Sequence, residues 1–363
     1  MTPEELRSLL RVVHRDLTQA MRGAVETELM RTVQRWQDAG SPAGVPWLRN
    51  APGSQEDLQV LTTWTYLGAD LVYSSRPWQA AAAEPLYALA VRMAHDADDQ
   101  HPGLNLHKGI DYFMLGMARF HQGRYDEGAH NILIAVEEDR AAGLTDDQIV
   151  AAQQLGQHVK PWVRDALAEV AQLCRDAGHT FVTQAHIETM LDDMCRDQQD
   201  LSYRPVRLLW LHSSLRKVDD LPGPSPLTPV RRLEALQDLT FLYEAALRER
   251  HEQPGEPLRQ LRHVVAKVRT IKGYPAAVID DWATFANFDA ADPDADADTK
   301  LTALQTEGFG GASDAERLCC QALLTVGLVR NMVHHRIDLQ STLLNAEYRW
   351  VLDRVLAALL LSW

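Results

Sequence analysis

The sequence predicts an all-α protein, and three observations carry that expectation. Long stretches rich in Ala, Leu, Glu, Gln and Arg, all good helix formers, recur along the chain. Few segments alternate apolar and polar residues as a half-buried strand does. Clusters of Gly and Pro, which cannot continue a helix, separate the stretches. The chain has 363 residues, more than the roughly 250–300 that one hydrophobic core usually serves, so two or more domains are expected. Hydrophobic residues make up 46% and charged residues 24%, the balance of a globular protein.

Residues 4–38 form one long helical pattern, ended by Gly40, Pro42, Gly44 and Pro46. Helices over 55–74 and 78–97 follow, parted near Ser74, Ser75 and Pro77, and Pro102 with Gly103 makes the next break. Residues 109–141 imply a helical hairpin broken at Gly123. Helical patterns continue over 146–178 and 180–217. The string DDLPGPSPLTP, 219–229, is the strongest punctuation and marks either a domain boundary or a long inter-helix loop. Helices are expected at 229–252 and 256–272, then an irregular acidic stretch, NFDAADPDADADTK, at 287–300. The final pair spans about 314–337 and 342–362. Its start is set by Ser313-Asp-Ala-Glu316, a capping box in which the Glu316 side chain reaches back to the Ser313 amide. The domain reading is a helical, repeat-like region over 1–200 and a helical domain over 201–363.

The formal net charge is −14, from 36 basic and 50 acidic residues, which excludes a protein that coats nucleic acid with its whole surface. A local basic groove stays compatible with it. Cys174, Cys195, Cys319 and Cys320 contain no C-x-x-C pair, so neither a zinc framework nor a secreted disulfide scaffold is expected. The polar start, MTPEELRSLLRVVHRDL, has no signal-peptide core. The apolar run VLAALLL is far shorter than the roughly 20 residues of a spanning helix. The expectation is a cytoplasmic protein with no membrane partner.

No metal or cofactor is expected. Asp292, Asp294, Asp296 and Asp298 alternate as in a calcium loop, but the required glycine and bidentate glutamate are replaced by Ala297 and Ala303. GFGGAS, 308–313, lacks the lysine of a phosphate loop and follows no strand. His101, His107, His121 and His130 have no helical ligand spacing.

The hairpin at 109–141 resembles a tetratricopeptide repeat. Leu115, Gly116, Gly123, Tyr125, Gly128, Ile132 and Ala135 fall where that family places its small and large residues. An ordinary helical hairpin accounts for the same residues. The resemblance implies an interaction surface in the N-terminal region, where a protein or small-molecule regulator would bind.

Two features carry candidate chemistry. The segment 257–273, PLRQLRHVVAKVRTIKG, contains Arg259, Arg262, Lys267, Arg269 and Lys272 and no acidic residue. That is either a phosphate-contact strip or a solvated helix face. The expected helix from 314 carries an apolar stripe of Leu318, Ala322, Leu323, Val326, Val329 and Val333. Arg330 lies only about 40° from Val326, on the edge of the buried face, where an arginine needs a partner or a purpose. Asn331, His334 and His335 follow.

RNMVHH, 330–335, resembles the R-N-x-x-x-H signature of the HEPN superfamily through Arg330, Asn331 and His335. The setting is similar too: a late, capped helix followed by one last apolar helix. The resemblance implies a HEPN-like bundle and metal-independent RNA cleavage by 2′-hydroxyl attack, in a toxin or antiviral defence effector. Arg330 would hold phosphate oxygens, His335 would exchange protons, and Asn331 would orient the histidine or the RNA. It also implies a homodimer with two such sets facing one another, and the apolar residues Leu343, Leu344, Val351, Leu352, Val355, Leu356 and Leu359 are read as its interface. On an ideal helix His335 stands about 140° from Arg330 while His334 shares its face, so both histidines remain candidates. Two rivals stand beside this reading. In one, Arg330 pairs with a core carboxylate, the histidines cap the helix end, and the protein is a non-catalytic scaffold. In the other, the N-terminal region is a sensor that restrains the nuclease.

Overall fold

The computed structural model describes Ala83, Glu84, Tyr87, Ala88, Val91, Arg92, Ala94, His95 and Asp99, then 107–145, 148–195, 204–219, 225–252, 258–286, 293–332 and 339–363. Among these residues every regular element is helical and no strand occurs, so the protein is all-α. The helices expected at 4–38 and 55–74 lie outside the described residues, as do 220–224 and 287–292 of the two irregular stretches. The chain divides into two compact units, Met1–His158 and Val159–Trp363.

In the first unit, α1 (Gly109–His121) and α2 (Tyr125–Ala141) form the hairpin, and Gly123 makes the turn at φ 76°, a value glycine adopts without strain. The two helices meet through Gly116 and Gly128. A Cβ on Gly116 would stand 2.9 Å from the Gly128 carbonyl oxygen, and one on Gly128 would stand 2.4 Å from the Phe120 ring. Phe113, Met117, Phe120, Ile132 and Ala135 fill the core beside that contact. The short α3 (Val150–Gln154) follows, and Asp139 on α2 accepts a hydrogen bond from the Val150 amide at its start. A π-helical turn, Leu155–Val159, comes next, just ahead of Pro161. Proline has no N–H and its ring collides with the carbonyl four residues back, so a widened turn there relieves the clash.

The second unit begins with α4 (Lys160–Asp176), α5 (Gln184–Met194), α6 (Arg204–Asp219) and α7 (Thr228–His251). It continues with α8 (Leu261–Lys272), two short helices α9 (Ala277–Asp280) and α10 (Trp282–Ala286), and α11 (Pro293–Thr306). It ends with α12 (Asp314–Met332), a 3-10 turn (Thr342–Leu344) and α13 (Tyr348–Ser362). The helices α7, α10, α11 and α13 pack around α12.

Four expectations change. First, α12 is buried on every side from Leu318 to Val329, so the stripe expected there is part of an enclosed stretch of helix, while Val333 lies outside the described residues. A helix apolar all round belongs in the middle of a bundle. Second, 293–300 of the acidic stretch is not irregular, because α11 starts at Pro293. Proline is pre-set for the first helical position, Asp296 suits the positive helix start, and Lys300 pairs with Asp296 one turn back. Third, the last helix starts at Tyr348, after the 3-10 turn. Fourth, the seven apolar residues read as a dimer face are buried within the chain itself, packed under α12 and its neighbours. Among the described residues no helix is long and apolar enough to cross a membrane.

Candidate functional site

The capping box forms as expected: the Ser313 amide donates to Glu316 Oε2 at 2.9 Å, and the Glu316 amide donates to Ser313 Oγ at 3.3 Å. It fixes the start of α12, and nineteen residues later the helix delivers Arg330, Asn331 and Met332 to its far end. The unbroken burial along α12 is interrupted at Arg330, whose side chain is 25% exposed, and returns at Met332.

Arg330 reaches across to α7. Its Nε donates to Glu244 Oε2 at 3.3 Å, and its guanidinium stands 5.4 Å from the centre of the Phe241 ring. The other oxygen of Glu244 accepts from Arg248, one turn further along α7. One carboxylate is thus shared by two guanidiniums. Arg248 also donates to the Arg259 carbonyl at 3.4 Å, which ties the segment before α8 to α7. The Glu244–Arg248 pair is an ordinary one-turn helix spacing, and nothing in the sequence marks Arg330, 86 residues away, as its third member.

These contacts frame a cleft of about 390 Å³. Arg330, Asn331 and Gly327 line it from α12, Glu244 from α7, Trp282 from α10, and Arg259 and Arg262 from the start of α8. Gly327 has a steric role here. A Cβ at that position would stand 2.9 Å from the Trp282 ring, so glycine lets the indole lie against α12. On α8, Leu261, Val264, Val265 and Val268 are buried while Arg262 and His263 are exposed, which directs Arg262 outward. Arg259 and Arg262 are exposed and pair with no carboxylate among the described residues. The cleft therefore presents three guanidiniums against one carboxylate, in a chain whose net charge is −14.

Four sequence-predicted site residues thus meet in one place: Arg259, Arg262, Arg330 and Asn331. Three others do not line this cleft. Arg269 spends its Nε on the Pro275 carbonyl at 3.1 Å, bracing the turn after Gly273. Lys272, the last residue of α8, lies 5.8 Å from the Phe181 ring centre. Lys267, in the middle of α8, is not among the residues that line the cleft. His334 and His335 lie outside the described residues. Glu244, Gly327 and Trp282 were not candidates from sequence. Of these, only the buried-arginine argument at Arg330 pointed to a missing carboxylate.

Among the described residues no group of three or more His, Cys, Asp and Glu side chains is placed to hold a metal ion. The four cysteines are free thiols. Burial pushes the Cys195 and Cys320 thiols up to about 12, so neither is poised as a thiolate nucleophile.

The fold and the cleft define a class: an all-α protein whose second unit carries an arginine-lined cleft near the end of a helix buried from Leu318 to Val329. No family model, curated protein or solved structure matches the chain.

Proposed function

We propose that the second unit is a HEPN-like endoribonuclease that cuts RNA in the Arg330 cleft. One observation carries the reading. Arg330 and Asn331, singled out by the RNMVHH motif, line the same cleft as Arg259 and Arg262, singled out independently as phosphate contacts. Three guanidinium forks around one space suit a polyanion whose non-bridging oxygens come in pairs.

In the proposed reaction the RNA 2′-oxygen attacks the adjacent phosphorus and the bond to the 5′-oxygen breaks. The 2′-hydroxyl gives up its proton and the departing 5′-oxygen takes one. His335, or His334, is the group that trades those protons near neutral pH. Arg330 stabilises the charge that builds on the phosphate, while Arg259 and Arg262 hold neighbouring phosphates. The products are a 2′,3′-cyclic phosphate and a 5′-hydroxyl. A toxin or defence effector is the setting that the family resemblance suggests, and a homodimer is its expected assembly. A regulator would act through the N-terminal hairpin.

A second reading has its own observation. The Arg330–Glu244 pair is what a structural arginine makes, and it favours a non-catalytic scaffold. The two readings part on one assay. Wild type, Arg330→Ala, His334→Ala and His335→Ala are compared on one labelled RNA in a chelator, with circular dichroism as the folding control. Cleavage by wild type that collapses in folded Arg330→Ala supports the nuclease. Equal cleavage by the folded arginine and histidine variants, or none by wild type, leaves the scaffold.

A further inference from the structure

At the opposite end of α8 from the cleft, the turn between α4 and α5 holds an aromatic side chain in solvent. Phe181 is 42% exposed, and Ile271 on α8 is 51% exposed. The turn is firmly built. The His179 ring nitrogen bonds the Ala315 carbonyl at 2.9 Å, Arg175 donates to the Val182 carbonyl at 2.7 Å, and Thr183 caps α5 through the His186 amide. The rings of His179 and His186 stand edge-on to Phe181, with centroids 5.9 and 5.4 Å away. His186 is itself fixed by a 2.9 Å bond to the Leu360 carbonyl. The ammonium of Lys272 lies 5.8 Å from the Phe181 centroid.

The charges around this ring are mostly of one sign. Burial first, then Lys272 and Arg250, disfavours protonation of His186, and burial first, then Arg250, Lys272 and Lys267, disfavours protonation of His251. Lys272 is held below the usual lysine range by partial burial and then by Arg250. The nearby acid Asp193 is already engaged by Arg250 at 2.9 Å and by the Trp363 indole at 3.2 Å. No carboxylate pairs with Lys272 among the described residues. A cation held beside other cations, over one face of a partly exposed ring on a rigid turn, sets a phosphate contact next to a stacking surface, the pair of contacts that single-stranded nucleic acid uses: a base on the exposed part of the ring, a phosphate on the cation.

We propose that Phe181 and Lys272 form a stacking platform for one base and its phosphate of single-stranded RNA, separate from the Arg330 cleft. That the strand is RNA rests on the function proposed above. The platform lies one helix away from the cleft, since α8 starts at the cleft and ends at Lys272; twelve residues span about 18 Å.

The test is fluorescence anisotropy with the full chain and a labelled 2′-O-methyl oligouridine of about twelve nucleotides, which offers a base and phosphate but no 2′-hydroxyl to react. Phe181→Ala is expected to weaken binding about tenfold, Phe181→Trp to keep or tighten it, and Lys272→Gln to weaken it and flatten its salt dependence. Wild type that does not bind the probe overturns the platform. So does Phe181→Ala binding like wild type, or Phe181→Trp failing as badly as Phe181→Ala. Competition by a polyglutamate peptide as effective as that by unlabelled oligouridine also overturns it, because the partner would then be an acidic protein. Arg330→Ala is scored in parallel for cleavage of ordinary RNA. If it cleaves like wild type while Phe181→Ala still loses binding, the nuclease reading fails and the platform stands. If Arg330→Ala is inactive and Phe181→Ala binds normally, only the platform fails.

Discussion

Arg330 differs from a phosphate-binding arginine on an open surface because it already has a carboxylate. Glu244 holds its Nε, and the rest of the guanidinium stays available toward the cleft. A fork can share itself between Glu244 and a phosphate, whereas an ammonium is a point charge. Arg330→Lys is therefore expected to lose cleavage about as completely as Arg330→Ala, roughly 10²–10³-fold, in a single-turnover assay. Recovery of near wild-type rates by lysine would mean that only net charge matters at that position. A second residue-scale expectation concerns Asp111 on α1. Burial pushes its carboxyl up to about 7, and one of its oxygens has no hydrogen-bond partner among the described residues. The unfolded chain releases this proton near pH 4, while the folded chain still holds it. Between those values the folded state binds more protons at this group, so the contribution of Asp111 to stability is most favourable below about pH 4 and is lost as pH rises toward 7. Asp111→Asn removes the charge that must be buried. It should raise the unfolding free energy obtained from a urea titration at pH 8 by about 1–3 kcal/mol, and leave it nearly unchanged at pH 4. An equal effect at both pH values would show that ionisation of Asp111 is not responsible.

At the scale of elements, the α1–α2 hairpin depends on two glycines facing one another. Gly128→Ala would push a methyl group into the Phe120 ring and toward the Gly116 backbone, and the backbone cannot move aside as a side-chain tip can. Overpacking of this kind costs about 1–3 kcal/mol, which a urea titration of the variant measures against wild type. A neutral result would show that the hairpin opens freely. These glycines, the break at Gly123 and the capping box at Ser313 were all legible in the sequence because each is a local rule: a turn, a close approach, a cap. The helix at Pro293–Thr306 was not. Its aspartates read as loop, while its stability comes from proline at the first position, the Asp296–Lys300 pair and the burial of Ala297, Leu301 and Leu304 against neighbours. The π turn before Pro161 was equally hidden, since a proline inside a helical pattern signals a break without saying how the backbone absorbs it. The cleft was half legible. The motif gave Arg330 and Asn331, and the acid-free segment gave Arg259 and Arg262. That both sets face one space, with Glu244 between them, is tertiary information that neither pattern contains.

For the whole molecule, charge and assembly are the questions. A chain of net charge −14 repels RNA except where cations are exposed, so binding should depend on a few contacts. Three cleft guanidiniums give a log–log salt slope near −2 for a single strand, about −0.7 per phosphate. Assembly is sharper. The apolar faces of the last helix are consumed inside the protomer, so a dimer must use other surfaces. The family resemblance still calls for two Arg330 sets at one composite site, and that requirement has a numerical signature. If both protomers supply Arg330 to each site, an equal, fully exchanged mixture of wild type and Arg330→Ala contains intact wild-type dimers in only about a quarter of its population. Total activity of the mixture then falls toward a quarter of that of the same total protein as wild type. If each protomer works alone, the mixture retains about half. Mixing the two proteins, allowing exchange, and reading initial cleavage rates alongside sedimentation mass decides between them. Half activity with a sedimenting mass near 40.8 kDa would leave a self-contained cleft and end the composite-site idea. A quarter with a mass near twice that value would place two copies of Arg330 on one RNA.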